Sequence, residues 1–189
     1  MPTSVAIKGS SLINTRKVLL RDYGELVTNR ILRELPEDVR DHVESSLVSS
    51  WVPIDKLYAL LEAIRSELGA IDSDINYRLG KVAPQITYGR FYKMFFKLGK
   101  PQLVAKRSPL MWSNLVSAGR VEVVDCDDNG AVGRVRDFPK EVAHPEFCRR
   151  LLGNFQGGFE LTGVRVYQPK HTKCVLRGDP YCEFSYKWR

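Results

Sequence analysis

A chain of 189 residues, 43% hydrophobic and 27% charged, is long enough to bury about 70% of its unfolded surface. That composition fits a compact soluble protein of one or two closely packed lobes rather than a string of independent domains. No run approaches the ~18 apolar residues of a membrane span, and Met1-Pro-Thr-Ser-Val-Ala-Ile lacks the apolar core of a secretory leader. The cytoplasm is therefore the expected compartment, and the four cysteines are expected as reduced thiols or metal ligands rather than a disulfide framework.

The chain reads as helices first and strands later. Leu12, Val18, Leu19 and Leu20 mark a helix interrupted at Tyr23-Gly24, and Leu26, Val27, Ile31, Leu32 and Leu35 continue at helical spacing to Pro36. Pro36-Glu-Asp-Val opens another helix, with proline in the first turn and acids at the positive end of the dipole. Trp51-Val-Pro53 is a joint. Residues 53–68 then carry Ile54, Leu57, Leu60, Leu61, Ile64 and Leu68 on one stripe, closed by Gly69. These stripes imply packing or dimerisation.

Charge changes sharply after that. No Asp or Glu lies between Ile75 and Val121, while nine basic residues do, so the remainder of the chain is slightly acidic against a net +7. Arg90, Lys93, Lys97 and Lys100 recur along one side of a basic amphipathic helix, with Phe91, Met94, Phe95 and Leu98 mainly on another. Phosphates, lipid headgroups or an acidic protein could meet such a face. The plainer reading is a solvated face balanced by the acidic N-terminal helices. No nucleic-acid-binding motif accompanies the charge, so nucleic acid is not an expected partner. Residues 101–118 predict a further helix, broken near Pro109.

Strands follow Gly119: Val121–Asp125 and Ala131–Phe138 about an Asn129-Gly130 turn, then a helix over 144–156 ended by Gly157-Gly158, then Val164–Gln168 as a strand. The fold class is α+β, with N-terminal helices packed on a C-terminal antiparallel sheet that has one helix inserted. Arg177-Gly178-Asp179-Pro180 predicts a terminal hairpin pairing 172–177 with 181–188, which sets Cys174 and Cys182 opposite one another, about 5 Å apart.

Cys148, His171, Cys174 and Cys182 are the chemically distinctive residues. Thiolate and imidazole are the ligands zinc favours, and structural zinc takes four of them in a closed tetrahedron. Buried free thiols, or a disulfide between Cys174 and Cys182, are the alternatives. Cys126, at a strand end beside the Asn-Gly turn, reads as a packing residue.

The pattern Cys148…His171-x2-Cys174-x7-Cys182, with Gly178-Asp179-Pro180 inside it, resembles the 4-vinyl-reductase domain, related in fold to TRAPP vesicle-tethering subunits. The resemblance covers about residues 120–189. It implies a structural Zn2+ held by Cys148, Cys174 and Cys182, with His171 where the family's aromatic-responsive sensors have a carboxylate. It divides the chain into a helical part, 1–118, for packing or dimerisation, and a zinc-bearing part, 119–189.

It further implies a ligand pocket above the metal, for which Phe95, Phe96, Met111 and Trp112 are wall candidates; each would otherwise be ordinary core. The expected function is a non-enzymatic sensory module for a small hydrophobic or aromatic ligand, acting as a homodimer or through a separate signalling protein. The alternative is a protein-interaction or scaffolding module using the TRAPP-like fold and the basic helix. Catalysis is not expected, because His42 and His144 have no partner in a known catalytic arrangement and no glycine-rich nucleotide loop is present.

Overall fold

A computed structural model describes residues 5–87 and 100–189. Its elements run β1 (Ala6–Lys8), α1 (Ser10–Arg33), α2 (Glu37–Ser45), β2 (Trp51–Pro53), α3 (Ile54–Leu68), α4 (Ile75–Thr87), α5 (Pro101–Ser113), β3 (Arg120–Cys126), β4 (Gly130–Arg136), α6 (Pro145–Glu160), β5 (Lys170–Lys173) and β6 (Cys182–Lys187). The α+β class expected from the sequence is observed. The expected interruption at Tyr23-Gly24 is observed: Gly24 leaves helical geometry with φ +78° and joins the two helical halves of α1 across a kink. The anticipated joint at Trp51 is a short strand, paired antiparallel with β1 and bridged through Ile7 to Val116.

Strands β3, β4, β6 and β5 form one antiparallel sheet in that order. Asp127 shapes the β3–β4 turn, its carboxylate accepting from the backbone N–H of Asn129 (2.7 Å) and Gly130 (2.8 Å). The register aligns Val121, Val135 and Cys182, then Val123, Gly133, Phe184 and His171, on one face. Helix α6 crosses that face. Phe155 meets the Phe184 ring (5.7 Å between centroids), and Phe159 meets Tyr186 (5.3 Å) and Trp188 (4.9 Å).

Three local expectations are corrected. Helix α6 does not end at Gly157-Gly158 but continues to Glu160, because a tertiary contact uses Gly157. A Cβ on Gly153 would run into the Tyr77 carbonyl, one on Gly157 into the Lys81 carbonyl, and one on Gly80 into the Arg150 carbonyl. Glycine thus lets α4 and α6 touch backbone to backbone. Helix α5 is not broken at Pro109; Ser108 Oγ donates to the Ala105 carbonyl (2.7 Å), the acceptor that a proline nitrogen leaves unserved. Val164–Gln168 forms no strand, only an isolated bridge between Val166 and Trp188.

A continuous core runs from Val5 to Trp188, joining the helices to the sheet. Arg78 pairs with Asp72, Lys81 with Glu160 (3.1 Å) and Arg120 with Asp137, so part of the basic stretch is balanced by nearby acids. The expected basic helix around Arg90, Lys93 and Lys97 lies outside the described residues, as do Phe95 and Phe96. No described helix is long and apolar enough to cross a membrane.

Candidate functional site

Two features lie side by side where α6 crosses the sheet. The first is the cysteine–histidine cluster. Its ligand atoms, one each from Cys148, His171, Cys174 and Cys182, all fall within 4.8 Å of one another. Cys174 Sγ stands 4.0 Å from both Cys148 Sγ and Cys182 Sγ, and all three thiols are buried and free.

The hairpin that assembles the cluster differs from the expected one. Lys173 pairs with Glu183 beyond a bulge at Thr172, and Cys174 leaves the strand to cap a turn of 3-10 helix over Val175–Arg177. The Asp179 carboxylate accepts from the Cys174 N–H (2.7 Å), and Gly178 takes φ +92° to close the turn. The His171 ring stacks on Phe184 with centroids 4.5 Å apart, and its Nε2 is buried without a partner.

Hydrogen bonding to Cys148, together with His171, holds the Cys182 thiol down to about 4. The same bond and burial push the Cys148 thiol up. Three sulfurs and one imidazole at these separations have the composition and size to close around a single soft cation. Cys126 ends β3, half-buried and apart from the cluster.

The second feature is a cavity of about 340 Å³ between the sheet and helices α1, α4, α5 and α6. Val104, Ala105, Met111 and Trp112 of α5 wall one side, Val121, Val123, Gly133 and Phe184 of the sheet the floor, and Phe147, Leu151 and Phe155 of α6 another side. Trp112 is fixed by Nε1 donating to the Ala118 carbonyl (3.0 Å) and by edge contact with Phe138. None of the chain's three histidines or four cysteines lines the cavity. His42 bonds the Asp38 carbonyl on α2, and His144 stacks on Tyr58 and bonds Glu62 (2.9 Å).

Sequence reading did not single out Arg150. It stands beside exposed Arg149, yet it is 6% exposed and lines the cavity. Its Nη2 donates to Thr15 Oγ1 (2.8 Å) and weakly to the Ser11 carbonyl (3.4 Å), and its Nη1 has no partner. Burial alone pushes the guanidinium down to about 10, so it stays charged at neutral pH. The signal was available in helical spacing: Arg150 and Leu151 lie three and four residues after Phe147, and Asn154 four after Arg150.

No family model matches the sequence, and no curated protein matches it significantly. Solved structures do. An H-NOX protein from S. oneidensis in the Fe(II)NO state aligns over 97% of this chain and 99% of its own, with TM-score 0.71 and 14% identity. This chain is similar in fold to H-NOX proteins. The unliganded Fe(II) H-NOX protein from K. algicida gives TM-score 0.67 at 11% identity, covering 97% of each chain. An oxygen-binding H-NOX domain related to soluble guanylate cyclases gives 0.65 at 12%, covering 97% of this chain and 95% of its own.

The 4-vinyl-reductase and TRAPP resemblance is thereby overturned, and with it the structural zinc that it implied. The H-NOX likeness spans both halves of the chain, whereas the resemblance rested on residues 120–189; its structural neighbours are described with Fe(II) and heme. The physical reason is local. A helix crossing the end of a β-hairpin brings one helical and three hairpin side chains together whatever the remainder of the chain does, so that spacing does not distinguish folds.

Proposed function

We propose that this protein is a non-enzymatic sensory module whose cavity binds a small apolar molecule directly, without a haem iron. The cavity carries this reading. At about 340 Å³ it falls at the small end of the range for ligand sites, and its walls are mainly aliphatic and aromatic. The likeness to H-NOX proteins supports it, since one of those neighbours is described as oxygen-binding.

Haem iron in proteins is held by imidazole, thiolate, thioether or phenolate. Every histidine and cysteine of this chain stands elsewhere than in the cavity wall. Among the described wall residues the remaining donors are Met111 and Tyr186. The Tyr186 hydroxyl donates to the Leu152 carbonyl (3.1 Å), and burial pushes its pKa up, which opposes a phenolate. A neutral thioether alone is a weak hold, so the described wall residues do not fit haem.

In this reading α6 is the reporting element, because Phe147 and Leu151 wall the cavity while Cys148 joins the cluster one residue away. The cluster fastens α6 to the terminal hairpin. Occupancy would pass to a second copy of the chain or to a separate signalling protein. Met111 and Trp112 serve as ligand-contacting wall.

Titration with hemin and with 1-decanol tests this. Hemin should give no saturable one-to-one Soret band, and its appearance would overturn the haem-free reading. Decanol at a hundredfold excess over its dissociation constant should stabilise by about 2.7 kcal/mol, raising Tm by roughly 5–10 °C. A Tm unmoved by decanol counts against an apolar ligand site.

A further inference from the structure

The cavity wall holds one fully buried charge that no described carboxylate neutralises. Among the described residues, three basic ones reach that wall: Lys8, Arg134 and Arg150. Lys8 commits its ammonium to the Ser49 carbonyl (2.8 Å) and the Trp51 ring, and Arg134 pairs with Glu183 (2.8 Å) and covers the Tyr181 ring. Among the described residues, Arg150 has neither a carboxylate nor an aromatic ring as partner. Its hydrogen bonds come from Nη2 alone, to a hydroxyl and a carbonyl, and no described carboxylate pairs with it. A guanidinium 6% exposed, with Nη1 unpartnered, is costly to bury without a counter-charge.

We infer that the cavity's occupant is a monocarboxylate with an apolar tail, its head group paired with Arg150 and its tail lying along Phe147, Leu151, Phe155 and Phe184. This rests on the cavity being a ligand site, as proposed above. A single guanidinium with one edge already tied to Thr15 matches one planar carboxylate in charge and in shape, whereas a phosphate dianion would call for a second cation. Ser10, Ser11, Asn14, Ser108 and Asn154 add small polar groups to a wall whose other residues are mainly apolar. That distribution suits one polar end and one hydrocarbon end.

Sodium decanoate and 1-decanol share a chain and differ at the head, so they separate the two readings. Isothermal titration at pH 7 on the full chain should show decanoate binding about tenfold or more tightly than decanol, the size of a charge-assisted hydrogen bond. In Arg150→Met the two probes should bind within about twofold of each other, with decanol affinity retained. Arg150→Lys should keep an intermediate preference, having charge without the planar fork. Equal binding of both probes to the wild type would overturn the head-group assignment while leaving the apolar site standing; binding of neither would remove the site itself. If Arg150→Met does not fold, the wild-type comparison alone decides.

Discussion

Glu183 sits in β6 with its side chain 14% exposed, its carboxylate accepting from Arg134 Nε (2.8 Å) and from Thr172 Oγ1 (2.9 Å). The Arg134 bond, then Thr172 and the nearby charges, hold this carboxyl below its ordinary value of 4.5. A depressed carboxyl stabilises the fold fully above its unfolded pKa, and that contribution disappears as pH falls through the folded one. Glu183→Gln should therefore cost about 1 kcal/mol at pH 7, with the gap to wild type closing near pH 3 in urea melts. A gap of equal size at both pH values would mean that packing, not ionisation, is responsible. At this scale the cysteines and His171 were legible, because rare side chains at short spacing announce themselves. Arg150 was not, since Arg149-Arg150 reads as a solvated pair until its helical face is compared with Phe147 and Leu151.

Between elements, the decisive contact is α4 against α6, made by Gly80, Gly153 and Gly157, the last of which sequence propensity assigns to a helix end. Gly157 and Gly158 are neighbours with opposite surroundings. A Cβ on Gly157 would strike the Lys81 carbonyl, whereas one on Gly158 would meet only Val104 Cγ1, at 3.7 Å. Gly157→Ala should therefore lose about 1–3 kcal/mol through forced separation of the helices. Gly158→Ala should be neutral or gain up to about 1 kcal/mol, since alanine is the better helix former. Thermal melts of the two variants decide it, and a similar loss in both would count against the backbone contact. The helices α1 to α3 were legible from apolar periodicity because each buries one stripe. The run of α6 past its glycines, and of α5 through Pro109, was not, because a distant carbonyl and a serine hydroxyl override the local preference.

Across the whole molecule, the antiparallel sheet and its inserted helix could be read from turn residues, yet the family drawn from them was mistaken. A four-residue motif samples one corner; fold is set by how α1, α4 and α5 close over the sheet, and no spacing in the chain records that. The cavity is likewise invisible in sequence, being a gap among side chains more than a hundred positions apart, such as Ser11 and Phe184. Gly133 offers a way to test what the gap does. It lies mid-strand in β4, between Val123 and Phe184 in register, and a Cβ added there meets nothing nearer than the Glu122 carbonyl at 3.8 Å. Gly133→Leu should project apolar atoms into the cavity without forcing the strands apart. Filling a void and replacing glycine in a strand both favour the folded state, so the apo protein should melt at the wild-type temperature or a few degrees above it. Its response to decanol and decanoate should weaken together, because the apolar volume shrinks while Arg150 is untouched. Undiminished binding of either probe to a stable Gly133→Leu protein would place the ligand outside this cavity.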